Sequence, residues 1–406
     1  MDYSEKALAL HKDTHGKIET GLKVPLETKD DLSTAYTPGV AAVCQAIAAD
    51  PTQARELTIK RNTIAVVTDG SAVLGLGNIG PLAGLPVMEG KAALFKRFAN
   101  VDAFPICLET QDAEEIIQAV KHIAPVFGGI NLEDIAAPKC FEIEARLKAE
   151  LNIPVMHDDQ HGTAVVVLAA LINALALRGT NKADATVVIS GAGAAGTAIA
   201  ELLLLYGFAN ITVLDSRGVI SKDRTDLNQE KLALLEKISA SLSLRKDGSA
   251  STKQSQPTEA EIATSKTPRN DNPATLSEAI RGADAFIGVS KAGLLTQDMV
   301  RTMHERPIIC ALANPVPEIM PDAAKTAGAY IVATGRSDFP NQINNVLAFP
   351  GIFRGALDNS VIQITDTMLV KAAEALAGLV DNPAVDEILP SPFDPRVVPA
   401  VANSIR

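Results

Sequence analysis

Residues 155–164 concentrate side chains that could do chemistry. They read Val-Met-His-Asp-Asp-Gln-His-Gly-Thr-Ala, and an apolar run, 165–177, broken only by Asn173, follows them. Aspartate is seldom buried unless it is paired or bound to a metal ion. The segment therefore predicts a divalent metal site, which residues elsewhere in the chain must complete.

Adjacent carboxylates end another predicted strand. Asn131-Leu-Glu133-Asp134 closes an apolar segment that begins at Val126. Like charges side by side repel each other unless a cation lies between them. In α/β folds, sites usually form at the carboxyl ends of strands, and the strand 152–156 delivers Asp158 and Asp159 in the same way. Sequence alone is equally consistent with a solvated acidic turn.

Lys91 and Tyr36 are candidates for proton transfer. A helix predicted to start near Glu89 puts Lys91 in its first turn, beside apolar side chains. Desolvation and a positive helix terminus both lower the pKa of a lysine, which suits a general base. Tyr36 precedes a Pro-Gly turn that opens a predicted helix, 40–49. Spacing alone favours an ordinary surface lysine and a packing tyrosine.

The sequence Gly191-Ala-Gly193-Ala194-Ala195-Gly196 is a dinucleotide-binding fingerprint. It follows a β-branched strand, 185–190, and opens a predicted helix, 194–206. The glycines permit a tight turn and close approach of the pyrophosphate to the helix N-terminus. An earlier glycine series, Gly75-x-Gly77-x-x-Gly80, is followed by Pro81, and no helix is expected there. We interpret that loop as structural or substrate-contacting.

Asp215 ends the next predicted strand, 210–214. An acidic residue at this position accepts hydrogen bonds from the ribose hydroxyls, which favours NAD. Arg217 and Lys222 lie just beyond it and could hold a 2′-phosphate, so NADP stays open.

Alternating strands and helices are predicted around these residues. The expected fold class is α/β: an N-terminal α/β substrate and metal domain, 1–162, and a Rossmann-type NAD(P)-binding domain with a parallel sheet, 163–380. A proline-rich tail, 381–406, follows. Residues 241–273, rich in Ser, Thr, Lys and Gln, are expected to be an exposed, mobile insertion.

Composition excludes several classes of protein. The chain has 406 residues, 47% of them hydrophobic, and a formal net charge of −11, which argues against binding to nucleic acid or anionic membranes. The four cysteines are far apart, so a zinc cluster or disulfide framework is not expected. No signal peptide is visible, and no uninterrupted apolar run reaches the roughly 18 residues of a membrane span. We predict a cytoplasmic protein.

A series of motifs in order along the chain resembles the malic enzyme family, in its short bacterial form. These motifs are Tyr36-Thr-Pro-Gly-Val, Thr68-Asp-Gly-Ser, Glu89-Gly-Lys91, Asn131-Leu-Glu133-Asp134-Ile, His157-Asp-Asp159-Gln-His-Gly-Thr163, Gly191-Ala-Gly-Ala-Ala-Gly196 and Asn341-Gln-Ile-Asn-Asn345. Together they are far more specific than any one of them, and they replace the plain interpretations of Tyr36 and Lys91.

The resemblance implies oxidative decarboxylation of (S)-malate to pyruvate and CO₂, with reduction of NAD or NADP. By this resemblance Glu133, Asp134 and Asp159 bind Mg²⁺ or Mn²⁺, whose preferred ligands are hard oxygen atoms. Lys91 would contact malate and take the proton of its hydroxyl group. Tyr36 would protonate C3 of enolpyruvate.

Further roles follow from the same resemblance. Asp158 would orient Lys91 or a metal ligand, Asn314 would contact the coenzyme and Asn345 the substrate. His157 and His161 are not expected to be ligands. The resemblance also implies a homodimer. Two departures from the family pattern are expected. The 241–273 segment is longer than is usual in short malic enzymes, and we expect the chain to lack the phosphotransacetylase-like extension of the long bacterial forms.

Other functions use the same residues. A malolactic-type enzyme or an oxaloacetate decarboxylase would employ the same metal and proton-transfer groups. A non-catalytic nucleotide-binding sensor is the alternative from another class, but it would require the loss of chemical groups that this chain retains.

Overall fold

The computed structural model describes residues 3–248 and 274–406. Contacts divide the chain into two compact units. Unit 1 comprises Met1–Asp158, Phe349–Thr365 and Ala402–Arg406, and unit 2 comprises Asp159–Ala348 and Asp366–Val401. This division falls four residues before the predicted boundary at 162, and it assigns parts of the predicted second domain and tail to unit 1.

Unit 1 is built around a parallel sheet of four strands, in the order β2-β1-β3-β4. The strands are β1 Thr63–Thr68, β2 Asp102–Cys107, β3 Gly129–Leu132 and β4 Val155–His157. Its helices are α1 Tyr3–Thr14, α2 Lys29–Ala35, α3 Val40–Ala49, α4 Ala54–Leu57, α5 Pro81–Ala99, α6 Ala113–Ile123 and α7 Lys139–Glu150. Because neighbouring strands run parallel, their carboxyl ends meet at one edge of the sheet.

The core of unit 1 lies against β1, all of whose residues are buried. Phe95 of α5 packs edge-on against two rings of the late helix Phe349–Asp358, with centroids 4.7 Å from Phe349 and 5.5 Å from Phe353. Aromatic pairs at these separations are favourable beyond the area they bury. This packing explains why a segment so late in the chain belongs to the first unit.

Unit 2 has a sheet in the order β10-β9-β8-β5-β6-β7. Its strands are β5 Thr186–Ser190, β6 Asn210–Asp215, β7 Gly218–Val219, β8 Ala285–Gly288, β9 Ile308–Ala311 and β10 Ile331–Thr334. All pairings are parallel except that of β6 with β7. The order reverses between β5 and β8, as in Rossmann-type folds. The predicted fold class is confirmed.

The next helices are α8 Asp158–Arg178, α9 Ala194–Tyr206 and α10 Gln229–Gly248, of which α9 packs against β5 and β6. The later helices are α11 Leu276–Ala279, α12 Gln297–Arg301, α13 Pro321–Thr326, α14 Phe349–Asp358, α15 Asp366–Ala377 and α16 Val397–Asn403. Among the described residues, α8 has the length and apolar composition of a membrane span. Since 72% of its most apolar window is buried, it has the character of a core helix.

The structure corrects two expectations about element boundaries and limits a third. Helix α5 begins at Pro81 rather than near Glu89, because Gly80 caps it and proline suits the first helical position. The strand predicted at 152–156 is β4 Val155–His157 in the structure, and residues 158–161 open helix α8. Helix α10 continues to Gly248, past the start of the expected insertion at 241, and residues 249–273 of that insertion lie outside the described part of the chain.

Gly70 is required where β1 leads into the glycine-rich loop. Its φ is +68°, and a Cβ atom there would lie 2.1 Å from the carbonyl carbon of Gly80, the cap of α5. Because of the positive φ and this close contact, a larger side chain at Gly70 would fit only if the backbone moved.

We predict that Gly70→Ala lowers the thermal denaturation midpoint by about 5 °C or more, because strain and overpacking each cost about 1–3 kcal/mol. Gly90→Ala is the matched control, since nothing lies within 4 Å of a Cβ at that helical position. Circular dichroism melting curves measure both changes. Equal midpoints for the two variants would contradict this explanation.

Candidate active site

Lys91 lies in the third turn of α5 and is 7% exposed. Its Nζ atom is 2.6 Å from Oδ2 of Asp158 and 2.9 Å from Oε1 of Glu133. The same ammonium group lies 4.2 Å from the ring centroid of Phe349. A buried charge is tolerated only when it is paired, and here one cation serves two carboxylates.

Three predicted metal ligands are grouped in the structure. Within the described residues, one carboxylate oxygen from each of Glu133, Asp134 and Asp159 lies within 4.8 Å of the other two. Asp159 follows Asp158 directly in the first turn of α8. Lys91 supplies one positive charge beside four carboxylates, so a divalent cation would reduce their mutual repulsion.

The donor set fits Mg²⁺ or Mn²⁺, because hard cations take carboxylate oxygens. Glu133 is held in part by Asn131, whose side-chain amide nitrogen donates to Oε2 at 2.8 Å. Asp134 has a φ of +54°, which is unusual for a residue with a side chain and costs roughly 1–2 kcal/mol. Such strained positions are commonly found at ligand-binding sites.

Tyr36 caps the end of α2 and is 67% exposed, whereas Lys91 is buried. In the single chain, Tyr36 is therefore not buried among the residues that surround Lys91. His157 is fully buried at the end of β4, where its backbone N–H donates to Glu144 at 2.9 Å. Neither His157 nor His161 belongs to the carboxylate group that could hold a metal ion.

The glycine fingerprint forms a tight cradle between β5 and α9. Gly191 has a φ of +121°, and a Cβ atom there would lie 2.6 Å from the carbonyl oxygen of Val289. A Cβ atom at Gly196 would lie 1.7 Å from the carbonyl oxygen of Gly191. Gly193 caps α9, and the first helical residues are Ala194 and Ala195. Backbone N–H groups at this helix terminus suit a pyrophosphate.

Asp215 ends β6 and is surrounded by cations that the sequence analysis did not identify. Arg224 binds it through two nitrogens, at 2.8 and 3.0 Å, and Lys231 Nζ lies at 2.6 Å. Burial alone would raise the pKa of Asp215, but the hydrogen bonds from Arg224 and Lys231 outweigh it and lower the pKa to about 2. Arg217 instead pairs with Asp226 at 2.8 Å, and Lys222 is exposed.

The remaining predicted contacts lie in unit 2. Asn314 is exposed just after β9, and Asn345 opens a short 3₁₀ helix, Asn345–Leu347. The sequence analysis missed Glu318, which is fully buried and accepts hydrogen bonds from the backbone N–H groups of Ser290 and Ala313. Burial raises the pKa of Glu318 despite these hydrogen bonds. Glu318 thus joins the loops that follow β8 and β9.

A Rossmann-type strand order with a glycine cradle defines a dinucleotide-binding protein. Two family models cover most of the chain: residues 15–148 match the malic enzyme N-terminal domain, and residues 160–397 match the malic enzyme NAD-binding domain. The chain therefore belongs to the malic enzyme family of oxidoreductases. The resemblance that the motifs indicated is confirmed.

Individual relatives agree with this assignment. The chain is 52% identical over 408 residues to a bifunctional malic/malolactic enzyme of Bacillus subtilis, covering 100% of this chain and 92% of that protein. It is 52% identical to an NAD-dependent malic enzyme of Geobacillus stearothermophilus, covering 100% and 78%. A crystal structure of an NAD-dependent malic enzyme of Thermotoga maritima superposes with a TM-score of 0.86 at 47% identity, covering 100% and 99% of the two chains.

Proposed function

We propose that this protein catalyses the oxidative decarboxylation of (S)-malate to pyruvate and CO₂, with reduction of NAD or NADP. The observation that carries the proposal is the buried contact of Lys91 with Asp158 and Glu133. A lysine held next to a group of carboxylates is positioned for proton transfer with a hydroxy acid.

Glu133, Asp134 and Asp159 would hold the divalent cation. When bound, Mg²⁺ or Mn²⁺ supplies Lewis-acid polarisation of the substrate's oxygen, which assists decarboxylation of a β-keto acid. Asp158 and Glu133 fix Nζ of Lys91 in place. In its neutral form, Lys91 would accept the proton of the C2 hydroxyl while hydride passes from C2 to NAD⁺ or NADP⁺. By the family resemblance, Tyr36, which is 67% exposed in the single chain, would return a proton to C3 of the enol after CO₂ departs.

A malolactic reaction is the second candidate. The specific observation in its favour is that the Bacillus subtilis relative, 52% identical, is named a bifunctional malic/malolactic enzyme. Both reactions would use the same lysine and carboxylates, and they differ in product: lactate without net reduced coenzyme marks the malolactic route.

We predict that Lys91→Ala lowers kcat by roughly 10²- to 10⁴-fold, the range expected for loss of a general base. Lys96→Ala is the matched control, because Lys96 lies on the same helix with a side chain 58% exposed. Rates of reduced-coenzyme formation with malate and Mn²⁺ measure both variants. Near-normal turnover of Lys91→Ala would remove Lys91 from its proposed role.

The charge at Asp215 supports a proposal about the coenzyme preference. Since its pKa is about 2, Asp215 is ionised at neutral pH and would repel a 2′-phosphate. We therefore propose that NAD is the preferred coenzyme. The relative from Geobacillus stearothermophilus is named NAD-dependent, whereas an Escherichia coli relative, 43% identical, is named NADP-dependent.

We predict that Asp215→Ser shifts the ratio of kcat/KM for NADP⁺ over NAD⁺ upward by about tenfold or more, because Arg224 and Lys231 could then bind a phosphate. Asp298→Ser, which removes an exposed carboxylate from the same unit, is the control and should leave the ratio unchanged. An unchanged ratio in Asp215→Ser would contradict this account of selectivity.

We also propose a homodimer, supported by the N-terminal helices. Helices α1, α2 and α3 contain no buried residue, although α3 reads Val-Ala-Ala-Val-Cys-Gln-Ala-Ile-Ala-Ala. Exposed apolar side chains in this region are Leu8, Leu10, Ile18, Leu22, Val24, Leu26, Leu32 and Val43. Because so many apolar side chains of one segment are exposed, we infer that this segment forms an interaction site. The cytoplasmic location stays a prediction of the sequence.

The dimer predicts a mass in solution of about twice the 42.6 kDa of one chain. Val43→Glu should shift the population toward the monomer, because a charge at an apolar interface is costly to bury. Light scattering after size-exclusion chromatography measures the mass. A mass near 42.6 kDa for the unmodified protein would contradict the proposal.

A further inference from the structure

The loop between β1 and α5 contains two polar side chains with no part in the proposed reaction. Asp69 is fully buried and Ser71 is nearly so. We propose that Ser71, itself oriented by Asp69, is a positioning residue that sets the backbone of the metal ligand Asp134. The inference rests on the proposed function, because it presumes that Glu133, Asp134 and Asp159 bind a divalent cation.

Three hydrogen bonds fasten the segment around Asp134 to the end of β1 and its loop. The N–H of Glu133 donates to the carbonyl oxygen of Val67 at 2.9 Å, and the N–H of Ala72 donates to the carbonyl oxygen of Asp134 at 2.9 Å. The third contact uses a side chain: the N–H of Ala136 donates to Oγ of Ser71 at 2.9 Å. These hydrogen bonds lie on both sides of Asp134, whose φ is +54°.

Asp69 determines the direction of the Ser71 hydroxyl. Its Oδ1 accepts from the backbone N–H of Ser71 at 2.9 Å and from Oγ–H of Ser71 at 2.6 Å. Its Oδ2 faces Nζ of Lys139 at 2.5 Å. An ionised carboxylate only accepts hydrogen bonds, so the serine hydroxyl must donate to it. A lone pair of Oγ is then available for the N–H of Ala136.

Backbone position decides where a short side chain points. The carboxylate of Asp134 is one bond removed from Cβ, so a rotation of the peptides on either side would move its oxygens relative to those of Glu133. The left-handed conformation of Asp134 is sterically unfavourable and persists only where neighbouring contacts enforce it. Ser71 supplies one such contact from outside the ligand group, and loss of outer partners typically weakens metal binding 10- to 100-fold.

The test is a Mn²⁺ titration of the full chain without substrate, following the electron paramagnetic resonance signal of free Mn²⁺. Ser71→Ala removes the acceptor of the Ala136 N–H and should raise the Kd for Mn²⁺ about tenfold. Ser71→Thr keeps the hydroxyl and should restore a Kd within about twofold of the unmodified protein. Ser391→Ala is the control, because that hydroxyl accepts a backbone N–H in unit 2.

The outcomes separate this inference from the proposed function. Failure of the unmodified protein to bind Mn²⁺ would overturn the metal site itself. Binding by the unmodified protein with an equal Kd for Ser71→Ala would overturn only the role of Ser71. If Ser71→Ala fails to fold, Lys139→Met tests the inference instead, because the partly exposed Lys139 pairs with Asp69. Loss of this pair should raise the Kd for Mn²⁺ at least about twofold. An unchanged Kd in Lys139→Met would then overturn the inference.

Discussion

Burial of the Lys91 ammonium group is the constraint on which the first unit depends. An ammonium group that is 7% exposed loses most of its hydration, and only close carboxylates offset that loss. Asp158 and Glu133 provide them from the ends of β4 and β3. The lysine comes from α5, whose own core contact is the aromatic cluster of Phe95 with Phe349 and Phe353. The parallel sheet thus serves to bring strand ends and one helix to a single point.

In unit 2, the glycine turn between β5 and α9 depends on the close approach of backbone segments and not on a buried charge. Gly196 packs so tightly against Gly191 that no side chain fits, which brings the start of α9 against the turn after β5. Asp215, at the end of the neighbouring strand, keeps its negative charge because Arg224 and Lys231 bind it. The shape of the glycine turn suits a dinucleotide, and the charge of Asp215 would discriminate between NAD and NADP.

The sequence predicted those features that depend on local pattern. The fingerprint at Gly191–Gly196 predicts a strand, a tight turn and a helix in that order, and the structure contains β5 and α9 at these places. Glu133, Asp134 and Asp159 were predicted as metal ligands because their motifs match a family, and their carboxylates lie close together in the structure. Local signals were less reliable for α5, where Pro86 within the helix and the glycines before it obscured a start at Pro81. No rule of sequence spacing predicts the roles of Arg224, Lys231 and Glu318, because their contacts form only in the folded chain. Tyr36 was found by resemblance, but its 67% exposure could not be read from the sequence.

We propose that the lysine–carboxylate group promotes the oxidation of (S)-malate by NAD⁺ and the release of CO₂. The most direct measurement incubates the purified protein with (S)-malate, NAD⁺ and Mn²⁺, and quantifies reduced coenzyme and organic acids together. We expect pyruvate and NADH in equal amounts, with no product when Mn²⁺ is chelated. Lactate without net NADH, or pyruvate formed equally well without a divalent cation, would rule out this function.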